Sequence, residues 1–535
     1  MPRLLLGPLL RFVGDGRATV WVETDVPCEV EVLGCTARTF RVAGHSYAIV
    51  LVTGLPEQGR TPYEVHLDGE RAWPEPGSAY PPSVIRSRPV DGPVRLAFGS
   101  CRVAGPLDDS SSGVDALHAL AERMRTQDVA DWPDELLLVG DQVYADENID
   151  PQTRAFIESR RDPTVGAGPE VADVEEYTRL YQHSWSPEPI RWLLSTLPTA
   201  MVFDDHDVRD DWNTSRAWRD AMSRLDWWQD RIEAGLMTYW LYQHLGNQPP
   251  DDLVADGLLA RLQQEQDGEA VLREHARQAD AEADGGGPVR WSFRRDLGTS
   301  RLVVLDSRCG RVLGGQRREM LDEPEWAWLT EQLDGPYDHL LLATSLPYLL
   351  PPGVHHLEAF DEALAAGAWG RRFARWGEAL RQAADLEHWA AFGTSFERMV
   401  GLLADVGSRP DAPSTITFLS GDVHFAYLAR ARFPQRPEVT SRVFQAVCSP
   451  LRNPLPRVVS LGQRFACSGV ADRVGRGLAR AVRVAKPELT WQVSGGPAFG
   501  NELATLELDG RSAVLSVETA GPGPALASAF TSRLA

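Results

Sequence analysis

Hydrophobic and polar residues alternate through the first ninety positions, as in Ala18-Thr-Val-Trp-Val-Glu23, Glu29–Leu33, Tyr47–Thr53 and Tyr63–Leu67. A period of two puts every second side chain on one face, so each run predicts a half-buried strand. Turn signals such as Gly14-Asp-Gly16 separate the runs at intervals of about ten residues. The spacing predicts a small β-sandwich of immunoglobulin or fibronectin type over residues 1–90. Trp73-Pro-Glu-Pro-Gly77 and Pro81-Pro82 follow as a stiff, helix-free boundary.

The pattern changes at Val94. Val94–Phe98, Glu135–Val139, Arg301–Leu305, His339–Ala343 and Thr415–Leu419 are short, unbroken apolar runs. Runs of that length fit strands buried on both faces. Asp115–Arg125, Leu225–His244 and Leu258–Ala283 have helical period. Residues 94–450 are therefore expected to form an α/β domain. Arg457–Val484 reads as partly helical, and Asn501–Glu518 as a hairpin turning at Asp509-Gly510. Residues 451–535 are expected to be an extension completing that domain, and Ala281–Gly287 an exposed loop.

Composition narrows the classes. The 535 residues are 43% hydrophobic and 24% charged, the balance of a folded protein with a large core. The formal net charge of −21 argues against general affinity for nucleic acids or membrane surfaces, both polyanionic. No apolar run approaches the roughly 18 residues that span a bilayer. Met1–Leu10 lacks a small-residue cleavage site and runs into a strand pattern, so a cytoplasmic location is expected. The six cysteines are too scattered for a disulfide scaffold.

Polar clusters follow the apolar strands directly, where sites gather in open α/β sheets. They are Gly99-Ser-Cys101-Arg102, Gly140-Asp141-Gln-Val-Tyr144, Asp204-Asp205-His206-Asp207 and Gly421-Asp422-Val-His424. Singly, each has an ordinary structural reading: Asp141 as a turn residue, Cys101 as a small buried hydrophobe. Asp204–Asp207 sets three carboxylates beside one imidazole, an arrangement that repels itself unless a cation or solvent screens it. Asp422 and His424 share one face of an extended segment. Four such clusters after four strands point to a multinuclear metal site. A cysteine phosphatase needs an Arg six positions after the Cys, where Leu107 stands. No nucleophile elbow or Gly-x-x-x-x-Gly-Lys-Ser/Thr phosphate loop occurs.

In this order the clusters resemble those of the PhoD-like alkaline phosphatases, within the calcineurin-like metallophosphoesterase superfamily. Leu305-Asp306-Ser-Arg308 with Trp326-Ala-Trp328 also looks like that family. The resemblance implies a layered α/β/β/α catalytic domain behind the N-terminal sandwich. It implies Cys101, Asp141, Tyr144 and Asp422 as ligands of Fe3+, with Asp141 bridging. It implies Asp205 and His424 as ligands of neighbouring Ca2+, with Mn2+ or Zn2+ as other divalent ions. His206 stands where the superfamily helps to protonate the leaving group. Arg102, and Arg179 in Glu176-Tyr-Thr-Arg179, are candidate phosphate clamps. His355-His356 stand where the superfamily often adds a histidine, and Asp210-Asp211 replaces the family's usual Asn pair.

The expected activity is metal-dependent hydrolysis of small-molecule phosphate esters by activated water at phosphorus. The competing reading is a non-catalytic protein of the same fold that acts as a binding module. Loops decide the ester and the metal core does not, so substrate choice stays open here.

Overall fold

The computed structural model describes residues 1–89, 91–107, 112–281, 283, 287–314, 318–455 and 457–535. Two four-stranded antiparallel sheets open the chain. One is built from Leu4–Gly14, Arg17–Thr24, His45–Val52 and Phe40–Val42, the other from Cys35–Arg38, Glu29–Val32, Val65–Leu67 and Glu70–Trp73. Their inner faces share one core of Leu10, Val20, Val22, Val30, Val50 and Val65. Arg17–Thr24 is buried on both faces, because Trp21 and Glu23 turn outward onto the next unit. Trp21 packs 5.3 Å from Tyr242, and Glu23 accepts from Tyr242 Oη at 3.0 Å and Gln182 Nε2 at 2.9 Å.

Two larger sheets follow. In the first, Thr199–Val202, Glu135–Val139 and Val94–Gly99 run parallel, and Glu502–Asp509, Ser512–Gly521 and Ala525–Arg533 extend it antiparallel. The terminal hairpin turns where expected; the third strand was not read from the sequence. The second sheet has a parallel centre of Ser300–Leu305, His339–Thr344, Thr415–Ser420 and Arg442–Val447. Phe98, Val139, Val202, Val304, Ala343 and Leu419 meet in one core between the sheets. Separate cores bury the outer faces under helices, which completes four layers, α/β/β/α.

Two expected helices are interrupted, each for a visible reason. Leu258–Ala283 is two helices, Gly257–Leu262 and Glu269–Ala281. At the break Asp267 accepts from the backbone N–H groups of Ala43 and Gly44, and the Gly268 N–H donates to Arg41 O. The interruption thus docks the sandwich. Leu225–His244 begins as a helix only at Trp228 and loosens into a π-helical turn at Tyr239–Gln243. That turn leaves the carbonyls of Tyr242 and Gln243 free to accept from Arg11. In the loop expected at Ala281–Gly287, positions 282 and 284–286 lie outside the described residues, and Ala283 is buried. No helix among the described residues is long and apolar enough to cross a membrane.

Candidate metal centre

The polar clusters meet at the carboxyl ends of both large sheets, where turns after adjacent strands cross closely. Gly140 (φ 109°) lies so near Asp204 that a Cβ there would sit 2.8 Å from the Asp204 Cβ, and at Gly421 a Cβ would overlap Ser100 Oγ. Glycine is required at both positions. The residues beside them are strained: Cys101, Asp141, Asp422 and His424 all have left-handed φ, between 49° and 66°. Such backbone costs about 1–3 kcal/mol per residue and clusters at functional sites.

These turns bring together all the expected metal ligands. Cys101 Sγ lies 3.2 Å from Asp141 Oδ2 and packs with Val103 and Tyr144. Tyr144 accepts from Asn453 Nδ2 at 3.1 Å and stacks on His206 at 4.7 Å. One ligand atom each from Asp141, Asp205 and His206 falls within 4.8 Å of the others, and the same holds for Asp204, Asp205 and Asp422. His424 is near enough to Asp422 and His206 to feel their charges. His206, expected as a proton donor, thus also stands among the potential ligands.

Burial makes this cluster electrostatically hostile to its own carboxylates. It pushes Asp141 well above the usual carboxylate range, reinforced by Cys101, and Asp204 up to about 8 despite Arg308. Burial and the facing acids raise Asp210 to about 7 and Asp211 to about 9. Burial also raises the Cys101 thiol to about 12. Asp422 goes the other way: its burial is outweighed by the His388 hydrogen bond and the nearby Arg308, which hold it down to about 2.

Several residues here carried no role in the sequence reading. Arg308, fully buried, binds Asp204 and approaches Asp205 at 3.2 Å, Glu387 at 2.6 Å and Asp422 at 4.0 Å. His388 bridges Glu358 (2.7 Å) and Asp422 (2.9 Å). Asp146 holds His206 Nδ1 at 3.0 Å. Asp385 and Glu387 add negative charge opposite Asp211. Asp146 stands two residues after Tyr144, and its acidity was the available signal. Asp385–His388 follow a helix instead of a strand and match no motif.

Both arginine assignments require correction. The left-handed turn at Cys101 sends Arg102 away from the cluster, and its guanidinium is buried against Asp115 (2.8 Å) and the Ser184 carbonyl (3.0 Å). Arg179 spends its side chain on Gln182, Glu175 and the face of Phe156. His355 and His356 also lie elsewhere: His355 packs on Phe396 and Trp491, and His356 faces Asp472.

Asp141 Oδ1, Asp204 Oδ2, Asp205 Oδ1 and Asp211 Oδ1 are buried and accept no hydrogen bond from the protein; at Asp205 the nearby Arg308 nitrogen is misaligned for one. Leaving a buried acceptor unpaired costs about 1–3 kcal/mol. Orphaned oxygens converging with imidazole, phenol and thiol fit bound cations. A cavity of about 1210 Å3 lies elsewhere, between the sandwich and the α/β layers, lined by Phe12, Arg88, Glu135, His244, His275 and Trp328 among others.

Comparison with known proteins agrees with this geometry. Residues 1–85 match a domain of unknown function, DUF7800, and residues 113–257 match the PhoD-like phosphatase model. No curated protein matches the sequence. Among solved structures, one titled "Structure of PhoD" is similar in fold with a TM-score of 0.60 at 12% identity, covering 99% of this chain and 90% of its own. Residues 113–257 are thus similar to the PhoD-like phosphatase family, and the fold along nearly the whole chain is similar to that of PhoD.

Proposed function

We propose that the protein is a metal-dependent phosphoesterase acting on small-molecule phosphate esters. One observation carries the reading: buried carboxylate oxygens without partners converge at the carboxyl ends of the two sheets, around one internal arginine. Asp141, Cys101, Tyr144 and Asp422 would hold one cation, Fe3+, since thiolate and phenolate favour it; Asp205 and His424 would hold neighbouring Ca2+, with Mn2+ or Zn2+ as other divalent ions. Bound cations supply Lewis acidity, acidify water and neutralise charge building on a phosphoryl group.

The remaining chemistry belongs to the chain. Burial disfavours a charged His206, yet Asp146 and Asp205 hold it protonated far above the usual imidazole range. It therefore has a proton to give a departing alkoxide, and Asp146 fixes the ring. Arg308 holds Asp204 and Asp205 in place, and the Glu358–His388 pair does the same for Asp422.

The test joins elemental analysis and a visible spectrum to hydrolysis of an aryl phosphate and an aryl phosphodiester, with and without chelator. Stoichiometric iron, a thiolate or phenolate charge-transfer band that Cys101→Ser removes, and chelator-sensitive hydrolysis are expected. The reading fails if metal-replete protein cleaves neither ester and Asp141→Asn binds as much metal as wild type.

A further inference from the structure

The helix Arg371–Ala383 carries an apolar stripe that the described residues leave largely exposed. Trp369, just before the helix, and Phe373, Trp376 and Leu380 on it recur at intervals of four, three and four residues. They are 45%, 45%, 75% and 40% exposed. The helix is nonetheless well anchored. Gly377 approaches Ala365 so closely that a Cβ would lie 2.7 Å from the Ala365 nitrogen, and Arg381 binds Glu362 and Glu378 at 2.7 Å each. Arg371, Arg372 and Arg375 are exposed beside the stripe, and no ion pair among the described residues engages them.

A second surface of the same kind lies next to it. The helices Arg457–Ala466 and Gly469–Ala481 expose Phe465 (59%), Val470 (54%) and Val474 (58%). Residues 457–486 hold seven basic side chains against one acid, Asp472, in a chain whose net charge is −21. Both surfaces pack on one helix, Pro352–Ala365, through the close approaches of Gly377 to Ala365 and of Gly475 to Gly353.

We propose that this paired surface docks the protein onto an anionic lipid bilayer. Interfacial helices set Trp, Phe and aliphatic residues into the headgroup boundary and arginines against anionic lipid. Arg371, Arg372 and Arg375 have no ion-pair partner among the described residues, and on the second surface Arg476 takes up Asp472; the excess of one sign favours a polyanionic plane over a protein face of mixed charge. Global acidity does not oppose this, since charge is screened beyond about 8 Å at physiological salt and only the local patch meets the surface. The expectation of no membrane binding, drawn from net charge, averaged over this asymmetry. The helix Arg371–Ala383 runs on into Asp385–His388, so docking would hold the rim of the metal centre beside the bilayer. The proposal stands whether or not the centre cleaves phosphate esters.

The test is co-sedimentation of the full chain with phosphatidylcholine vesicles, with and without phosphatidylserine, at low and physiological salt. Binding is expected only with phosphatidylserine and should weaken as salt rises. Phe373→Glu/Trp376→Glu and Arg371→Gln/Arg372→Gln/Arg375→Gln should each lower affinity about tenfold or more, with Trp376→Phe close to wild type. The altered residues are exposed, so the thermal midpoint should not move. Three results would overturn the proposal: no binding to phosphatidylserine vesicles at low salt, equal binding by both variants, or a vesicle-free dimer that both variants dissociate, which would make a second copy the occupant.

Discussion

Arg11 and Arg308 are both fully buried, at opposite ends of the molecule's logic. Arg11 reaches from the N-terminal sandwich and spends its guanidinium on neutral acceptors: Thr199 O (2.9 Å), Tyr242 O and Gln243 O (2.6 Å each) and Asn247 Oδ1 (3.2 Å). Burial and the nearby Arg295 depress it to about 9. Burial opposes the charge on Arg308 too, but Asp204, Asp205, Glu387 and Asp422 raise it well above the usual arginine value. One arginine is saturated by carbonyls and ties two units together. The other stands in a surplus of anions that it cannot neutralise, with carboxylate oxygens left over. The first arrangement is complete within the chain; the second invites further positive charge.

The strongest way to break this contrast is Asp141→Asn. Losing a ligand should lower hydrolysis about 10³-fold, as removal of several kcal/mol of transition-state stabilisation does. The chelator-treated variant should melt no lower than chelator-treated wild type, because one repelling charge is gone. Arg11→Met should do the reverse: it leaves buried acceptors without donors, costing about 3 kcal/mol in denaturant unfolding, and leaves the rate at 25 °C within about twofold.

A smaller effect comes from pH on the Arg11 side. Burial, with His275 beside it, holds His244 down to about 3. A histidine lowered by folding stabilises the native state above its unfolded value, near 6.5, and loses that stability as pH falls toward the folded one. Unfolding free energy should therefore drop by about 2 kcal/mol from pH 6.5 to pH 5, and His244→Gln should flatten this limb. Least affected should be Arg179→Ala: on a half-buried arginine with local partners, the change should alter kcat/KM less than about threefold. A loss of a hundredfold would return Arg179 to the site.

The layered fold and the main clusters were legible because their signals are local. An apolar run that stops at Gly-Asp or Ser-Cys marks the carboxyl end of a buried strand, and four such stops had to converge. What escaped was non-local. Asp385, Glu387 and His388 reach the centre by way of a helix, so no strand signal announced them. Arg102 was misplaced because sequence adjacency to Cys101 says nothing of direction, and the left-handed turn between them reverses it. The break at Gln264–Gly268 interrupts a good helical period, and only docking against Arg41 and Ala43 explains it. The apolar stripe at Trp369–Leu380 was not read from the sequence, and its exposure is a property of the packed molecule.

The strand Val94–Gly99 has one further consequence. Its neighbour on one side is Glu135–Val139; on the other it is Glu502–Asp509, with Val94 opposite Leu508. One edge of the strand that leads to Cys101 must therefore wait until Glu502–Asp509 has been made. At about 5–20 residues per second of synthesis, that edge stays open for roughly 20–80 s. A polypeptide stopped short of residue 501 would present it as a template for intermolecular pairing. Glu502–Asp509 has to be made before the protein can assemble the pocket that its first α/β strand begins.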